Sequence, residues 1–481
     1  MAASWRFRIC RDFDDGACQF FNRHTPQRRG IQYAAPAIFV LGSCDYWIVR
    51  SSAQLRTRRT MTTEFGFESV DTLKVRDARD VEEVVRAAIA SEQPLEIIGH
   101  GTRRAIGHPM ATNAVLDVSA LNAVTSYEPN ELIITVQAGA PLADVQSLID
   151  SKNQQFAFEP MDTSALLGVS GNGTIGGMIG AGLAGPRRIK AGGARDHLLG
   201  AHAVSGFGDS FKTGGRVVKN VTGYDLCKLL TGSWGTLAVM TEVTLKVMPK
   251  PESERTLVLS GLDDVSANRA MTAALGSPFD VSGAAHLPNS AFRPATGQLA
   301  GFPGQGRAVT LLRLEGIAAS VADRANSLGK TLAPFGSVDM LQDAASATVW
   351  NAIRDVEPFA ASGSLGAWPV WRIVCPPASG GALGQALARD TGGDVIYDWG
   401  GGLIWAALPP KPDAQAALVR QRVEAAGGHA ALIRASEQTR RNVDVFHPQA
   451  AGIAALSQRV RNSFDPKIIL NRGRMLLMTA T

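Results

Sequence analysis

Residues 171–186 read GNGTIGGMIGAGLAGP, seven glycines in sixteen positions. At helical spacing Gly173, Gly176, Gly177, Gly180 and Ala184 share one face. A glycine inside a helix costs up to about 1 kcal/mol relative to alanine. A run of them therefore needs a body that comes close to the helix. The expected helix start at Thr174 also gives an N-terminus that attracts phosphate. Tight helix packing or a flexible lid would use the same residues, so this tract alone names no ligand.

Two other segments work with it. Upstream, residues 94–104 read PLEIIGHGTRR, a short strand running into a loop where Gly99 and Gly101 flank His100. Glycine permits positive φ and lets a ligand approach the backbone. Successive N–H groups in such a turn form an anion nest, to which Thr102 adds a hydroxyl and Arg103 and Arg104 add charge. The motif is not GxGxxG, so a Rossmann-type dinucleotide fold is not indicated. A plain tight turn would need the same glycines. Downstream, GRVVKNVTGYDL (215–226) and GSWGTLAVMTEVTL (232–245) complete the set.

Outward from these segments an α/β pattern extends. Asp80 is read as the cap of a helix whose apolar face is Val81, Val84, Val85, Ala88 and Ile89, stopped by Pro94. Strands are expected at 95–98, 114–117 and 131–138, and Pro141 opens a helix through 152. An apolar segment at 198–204, a helix at 224–230 and a strand at 236–248 follow. Pro249-Lys250-Pro251 marks a domain boundary. Beyond it, β-rich stretches (256–260, 309–314, 370–374, 404–408) alternate with Ala-rich helices (320–332, 414–426), an α+β pattern. A helix near 452–464 leads into FDPKIILNRGRM (464–475).

The chain's 481 residues suggest two or three domains. Its net charge of +5 belongs to one segment. Residues 1–60 hold ten Arg, four Asp, no Lys and no Glu, which leaves the remainder near neutral and argues against nucleic-acid binding. That segment also lacks clear periodicity, and the methionine after Met1 is Met61. Residues 1–63 are therefore read as a disordered extension, with a misassigned start as one explanation. The cysteines (Cys10, Cys18, Cys44, Cys227, Cys375) form no CxxC, so no iron–sulfur, zinc or disulfide framework is expected. No apolar run reaches membrane-spanning length. The histidines (His24, His100, His108, His197, His202, His286, His429, His447) show no metal-ligand spacing, and no metal is expected.

Taken together, the order of the GxGT loop, the TIGGM tract and the GSWGTLAVMTEVTLKVMP segment resembles the PCMH-type FAD-binding domain of the vanillyl-alcohol-oxidase superfamily. The runs AGLAGPRR (181–188) and KNVTGYDL, with the ending FDPKIILNRGRM, resemble the FAD-binding subunits of bacterial glycolate oxidases. The resemblance implies a PCMH-type FAD domain of two α/β subdomains over 64–250, an α+β cap over 251–450, and a C-terminal segment, 451–481, returning to the FAD domain. It implies that Ile98, Gly99, His100, Gly101, Thr102 and Arg103 wrap the FAD pyrophosphate. Pro160, Gly173, Thr174, Gly176, Gly177 and Gly185 line the dinucleotide from the other side. Asp196, Val239 and Thr241 complete the pocket, and Asn471 and Arg474 bring in the C-terminus. The family's NPG reads Asn471-Arg472-Gly473 here. His100 sits earlier in the loop than the histidine that tethers flavin in some relatives, so noncovalent FAD is expected.

The implied activity is oxidation of a 2-hydroxy acid to a 2-oxo acid, with electrons leaving through a partner flavoprotein and an iron–sulfur subunit. The implied location is cytoplasmic, with membrane association through the complex. A self-sufficient FAD dehydrogenase and an assembly subunit with structural FAD are the alternatives. Related hydroxy-acid dehydrogenases often carry an HxGDGNxH-like cap motif. Here the matching stretch, Asp398 to Trp405 (DWGGGLIW), keeps glycines but has no histidine. No residue declares itself catalytic. Asp398 is a candidate base only if paired, for instance with Arg372, because a carboxylate substrate would otherwise be repelled.

Overall fold

In a computed structural model, the described residues are 71–110, 112, 114–215, 224–292, 299 and 306–476, with the backbone of Arg56–Arg59. Strands β1 (Arg56–Arg59), β2 (Asp71–Lys74), β3 (Leu95–Ile98) and β4 (Ala114–Asp117) form a sheet in the order β1-β2-β4-β3. β2 and β3 run parallel to β4, while β1 is antiparallel to β2 and lies within the stretch expected to be an extension. Residues 1–55 and 60–63 of that stretch lie outside the described residues.

The crossover from β2 is the helix Ala78–Ala90. Its cap is Asp77 rather than Asp80: the Asp77 side chain accepts from the N–H groups of Arg79 and Asp80. Both aspartates could cap, and the one whose backbone is still extended does so, at φ −153°. Asp80 sits inside the first turn and pairs with Arg76 at 2.9 Å. Val81, Val84, Val85 and Ala88 are buried against the sheet, as the 3.6-residue period requires.

A second sheet follows. Strands β5 (Val124–Glu128) and β6 (Ile133–Gln137) precede a short β7 (Gln154–Gln155). Then come β8 (Leu198–Ser205), β9 (Ser210–Gly214), β10 (Ala238–Lys246) and β11 (Met248–Pro249), which pairs with β7. The order is β5-β6-β10-β8-β9, antiparallel throughout. The helix Ile175–Ala181 buries Ile175, Met178 and Ile179 in this sheet's core. Gly182, at φ +62°, ends it, so Ala184 lies past the helix and Gly173 before its cap, outside the single glycine face expected from the sequence.

The cap is an antiparallel sheet built from β12 (Ser253–Ser260), β13 (Gly283–Leu287), β14 (Val309–Gly316), β15 (Val338–Gln342), β16 (Val370–Val374), β17 (Asp394–Asp398), β18 (Leu403–Ala407) and β19 (His429–Arg434). Its order is β15-β12-β14-β13-β17-β18-β16-β19. Side chains alternate between its faces. Trp371 and Ile373 point to the helices Gly380–Thr391 and Ala416–Ala425. Val370, Ile396 and Trp405 join an apolar cluster with Ile106, Met161, Ala181 and Trp234 from the N-terminal half.

The C-terminal return is explicit. After the helix Ala451–Phe464, the Leu95 N–H donates to the Ile469 carbonyl (2.8 Å), and the Asn471 N–H donates to the Leu95 carbonyl (3.0 Å).

Candidate functional site

A cleft of about 720 Å³ opens between the first two sheets. Its walls are the end of β3 with the loop 99–104, the helix Ile175–Ala181, the Trp234-Gly235 turn, Ala238 and Met240 of β10, and Asn471 with Arg474 from the C-terminus. Among the described residues, three arginines line it (Arg103, Arg104, Arg474) and no carboxylate does.

The loop is built for close approach. Gly101 has φ +69°. A Cβ on Gly99 would stand 2.5 Å from Thr174 Oγ1, so the loop packs directly on the helix cap. Thr174 Oγ1 accepts from the Gly177 N–H at 3.2 Å, capping the helix whose start faces the cleft. Gly176 touches Ala138, where a Cβ would come within 2.9 Å. Among the described residues, the backbone N–H groups from Gly99 to Arg103 find no acceptor, which leaves a row of free donors at the rim.

Arg103 and Arg474 are buried with donors to spare. Arg103 donates to the Met161 carbonyl (3.1 Å), and its Nε has no partner. Burial lowers its pKa, against the opposing charge of Asp162. Arg474 donates to the Arg103 carbonyl (2.6 Å), lies over the Trp234 ring at 5.3 Å and also leaves its Nε unpaired. Burial pulls its pKa down to about 10, with the positive charges of Arg104, Arg440 and Arg103 pushing the same way and Glu96 opposing. Arg104 is neutralised by a bidentate pair with Glu96. Asn471, at φ +44°, accepts from the Ile97 N–H (2.8 Å) and donates to the Trp234 carbonyl (2.7 Å), tying β3 to the far wall. Asparagine tolerates that left-handed conformation better than most residues.

Of the residues expected in the pocket, Ile98, Gly99, His100, Gly101, Thr102, Arg103, Thr174, Gly176, Gly177, Asn471 and Arg474 line this cleft. Gly173 stands just behind it, where a Cβ would meet the Arg103 guanidinium at 2.7 Å. The other five lie elsewhere. Strand alternation gives the cleft Ala238 and Met240, while Val239 and Thr241 face away: Val239 joins the first sheet's core and the Thr241 hydroxyl donates to the His202 carbonyl. Asp196 is exposed and accepts from the Gly193 N–H at 2.8 Å. Pro160 and Gly185 belong to the junction with the cap, where Pro160 bridges to Ala184. Sequence reasoning missed Gly180, Trp234, Gly235 and Met240 as lining residues. Gly180 was already marked by its helical face; the others needed the strand phase.

A second cavity, about 880 Å³, lies between the N-terminal half and the cap and is ringed by charge. Arg313, 1% exposed, makes a bidentate pair with Glu159 (2.9 and 2.9 Å) and stacks over Trp350 at 4.5 Å. Arg187 joins Glu159, Glu254 and Glu315. Burial alone would raise Glu159, yet Arg313 and Arg187 hold it below the usual carboxylate range. Glu315 is likewise held down at about 2 against its burial by Arg313 and Arg187.

A family profile described as an FAD binding domain matches residues 72–214. The 4-ethylphenol oxidase from Gulosibacter chungangensis has the same fold, with a TM-score of 0.62 at 14% identity over 85% of this chain and 89% of that one. The chain thus carries a PCMH-type FAD-binding domain and is an FAD-dependent oxidoreductase. The glycolate oxidase subunit GlcE of Escherichia coli K12 is 30% identical over 398 residues, 82% of this chain and 95% of that protein, and the chain belongs to that subunit's family. The subunit GlcD of Bacillus subtilis 168 is 36% identical over 184 residues, but these make up 37% of this chain and 38% of that protein.

Proposed function

We propose that this chain is the FAD-carrying subunit of a glycolate oxidase (glycolate dehydrogenase) complex. In that complex a 2-hydroxy acid becomes a 2-oxo acid, and electrons leave through a partner flavoprotein and an iron–sulfur subunit. One observation carries the reading: a glycine-walled cleft with three arginines and no acid, in a chain similar to the E. coli subunit over 95% of that protein's length. FAD, when bound, supplies the hydride- and electron-accepting chemistry. The protein's part is positioning. The free N–H groups of 99–103 and the unpaired Nε atoms of Arg103 and Arg474 suit a diphosphate. Each charge-assisted bond there is worth about 1.5–3 kcal/mol. Trp234, Ala238 and Met240 offer apolar wall to the rings.

We hold the flavin to be noncovalent. The His100 ring is engaged through Nδ1 with the Asn172 carbonyl at 2.7 Å. Dependence on partners is supported by the β17–β18 turn, which presents Trp399, Gly400 and Gly401 and no histidine. The described free cysteines, Cys227 and Cys375, are both buried and lie in different cores. Among the described residues no helix is long and apolar enough to cross a membrane. In this reading the chain is cytoplasmic, and any membrane association comes through its partners.

The test is flavin bleaching by glycolate in stopped flow, with the chain alone and with its co-purified partners. Fast bleaching is expected only in the complex. An isolated chain that matches the complex's rate would be a self-sufficient dehydrogenase instead.

A further inference from the structure

The second cavity, of about 880 Å³, shares no lining residue with the FAD cleft. Its walls come from different halves of the molecule. One wall is the end of the helix Leu142–Asp150, with Gln146 and Asp150 on the cavity. The other is the cap helix Asp343–Arg354, which presents Ala347, Trp350, Asn351 and Arg354. These are positions i, i+3, i+4 and i+7 of one helical face. The floor is Glu159, Arg187, Glu254 of β12 and Arg313 of β14. The Trp350 indole is fixed, because its Nε1 donates to Thr256 Oγ1 at 2.7 Å.

The charges around this cavity pair off with one carboxylate left over. Arg313 takes Glu159 at 2.9 Å, Arg187 takes Glu315 at 2.6 Å, Arg354 takes Asp355 at 2.6 Å, and Lys250 takes Asp150. Glu254 remains. Its Oε1 accepts from Ser346 Oγ at 2.5 Å. Its Oε2 lies 3.5 Å from Arg187 Nη2, a nitrogen that already donates to Glu315. The Glu254 side chain is 11% exposed, and among the described residues no other cation comes within ion-pair distance of it. Three buried carboxylates, Glu159, Glu254 and Glu315, thus face two guanidinium groups. A buried carboxylate without a cation of its own is costly. Burial, with Glu315 adding to it, holds the Glu254 carboxyl above its ordinary value, against Arg313, Ser346 and Arg187.

We propose that this junction cavity binds a small organic cation, through a primary ammonium or guanidinium group that pairs with Glu254. The cation supplies the third positive charge that the buried set lacks. Trp350 and Ala347 offer its stem an apolar wall, and the side-chain amides of Asn351 and Gln146 offer oxygens beside it. An anion would instead add to a set already short of cations. A metal ion does not suit the site either, because among the described residues no three ligating side chains converge. Since the two walls belong to the N-terminal half and the cap, a bound cation links them and stabilises the folded chain by mass action. The site stands apart from the flavin reading and does not depend on it.

The test is titration calorimetry on the full chain with propylammonium and propylguanidinium, and with propylurea as the uncharged isostere of the second. Saturable binding of at least one cation is expected, with none of the urea, and the Tm should rise with the concentration of the cation that binds. Glu254→Gln should weaken that binding about 10- to 100-fold, the worth of one charge-assisted pair. The amide oxygen can still accept from Ser346, so this variant is expected to fold. Ala347→Phe, at an exposed position on the cavity wall, is the check if it does not: the ring fills the space, and binding should be lost with Glu254 intact. No binding of either cation at millimolar concentration overturns the site. So does equal binding of propylurea, or unchanged affinity in either folded variant.

Discussion

Asp398 shows how far one residue's surroundings move its chemistry. It ionises near 3.8 when free, whereas burial, helped by Glu159, raises it to about 7 in the folded protein. The native state then holds a proton that the unfolded chain has lost. This group's stabilising contribution is full below about pH 4, falls as the pH climbs toward 7, and stays lost above that. Asp398→Asn, which keeps the side chain neutral, should raise the Tm at about pH 8, by an amount on the order of a few kcal/mol in stability. Near pH 4 the same substitution should change little. Thermal melts at both pH values check this, and an equal effect at both would remove buried ionisation as the cause. Asp398 was visible in the sequence as a lone acid in a glycine turn. Arg372 was named there as its possible partner, but no ion pair joins the two among the described residues, and the charges of Glu159 and Arg313 act on Asp398 from distant stretches of chain.

The glycine tract shows what an element's sequence reveals and what it hides. Gly176, Gly177 and Gly180 were legible as a helix face that something approaches, and the structure puts them on the cleft wall. The helix ends sooner than the spacing suggested because Gly182 takes the left-handed cap, a choice that tertiary contacts with Gly232 share. Of these glycines Gly180 is the informative one: a Cβ there would meet nothing closer than Met240 Cε at 3.9 Å, in the open cleft. Gly180→Leu should therefore fold, gaining about 1 kcal/mol or less in helix propensity, and lose flavin because its side chain fills the ligand's space. Flavin absorbance against protein, with a circular dichroism melt, checks it. A folded Gly180→Leu protein with full flavin would put the ligand elsewhere. Strand phase was the harder element to read. The apolar run 236–248 shows a strand, but not that Ala238 and Met240, rather than Val239 and Thr241, face the cleft. The cap strands at 370–374 and 404–408 were also readable locally. Their places in the β15-to-β19 order were not, since β13 pairs with β17 across more than one hundred residues.

Across the whole molecule, the N-terminal half and the cap are joined by an apolar cluster and by the Glu159–Arg313–Arg187–Glu315 network. Glu159 is the shared partner, donated by the N-terminal half to a fully buried arginine of the cap. Removing one member of such a buried set leaves a charge uncompensated and typically costs about 3–5 kcal/mol. Glu159→Gln should lower the urea midpoint accordingly, with the loss centred on the cap. An unchanged midpoint would show that Arg313 is satisfied by Glu315 alone. In the reading proposed above, the cleft between the first two sheets holds FAD through the 99–103 loop. Gly101, at φ +69°, is the residue whose backbone that loop depends on. A β-branched side chain there is strained by the positive φ and crowds the Arg104 stem, whose Cδ would lie 3.3 Å from the Cβ. The most direct measurement is the flavin absorbance of purified wild-type and Gly101→Val protein before and after acid precipitation. Flavin is expected in the wild type, all of it released into the supernatant, with a folded but colourless Gly101→Val. A folded Gly101→Val protein with normal flavin content would contradict it.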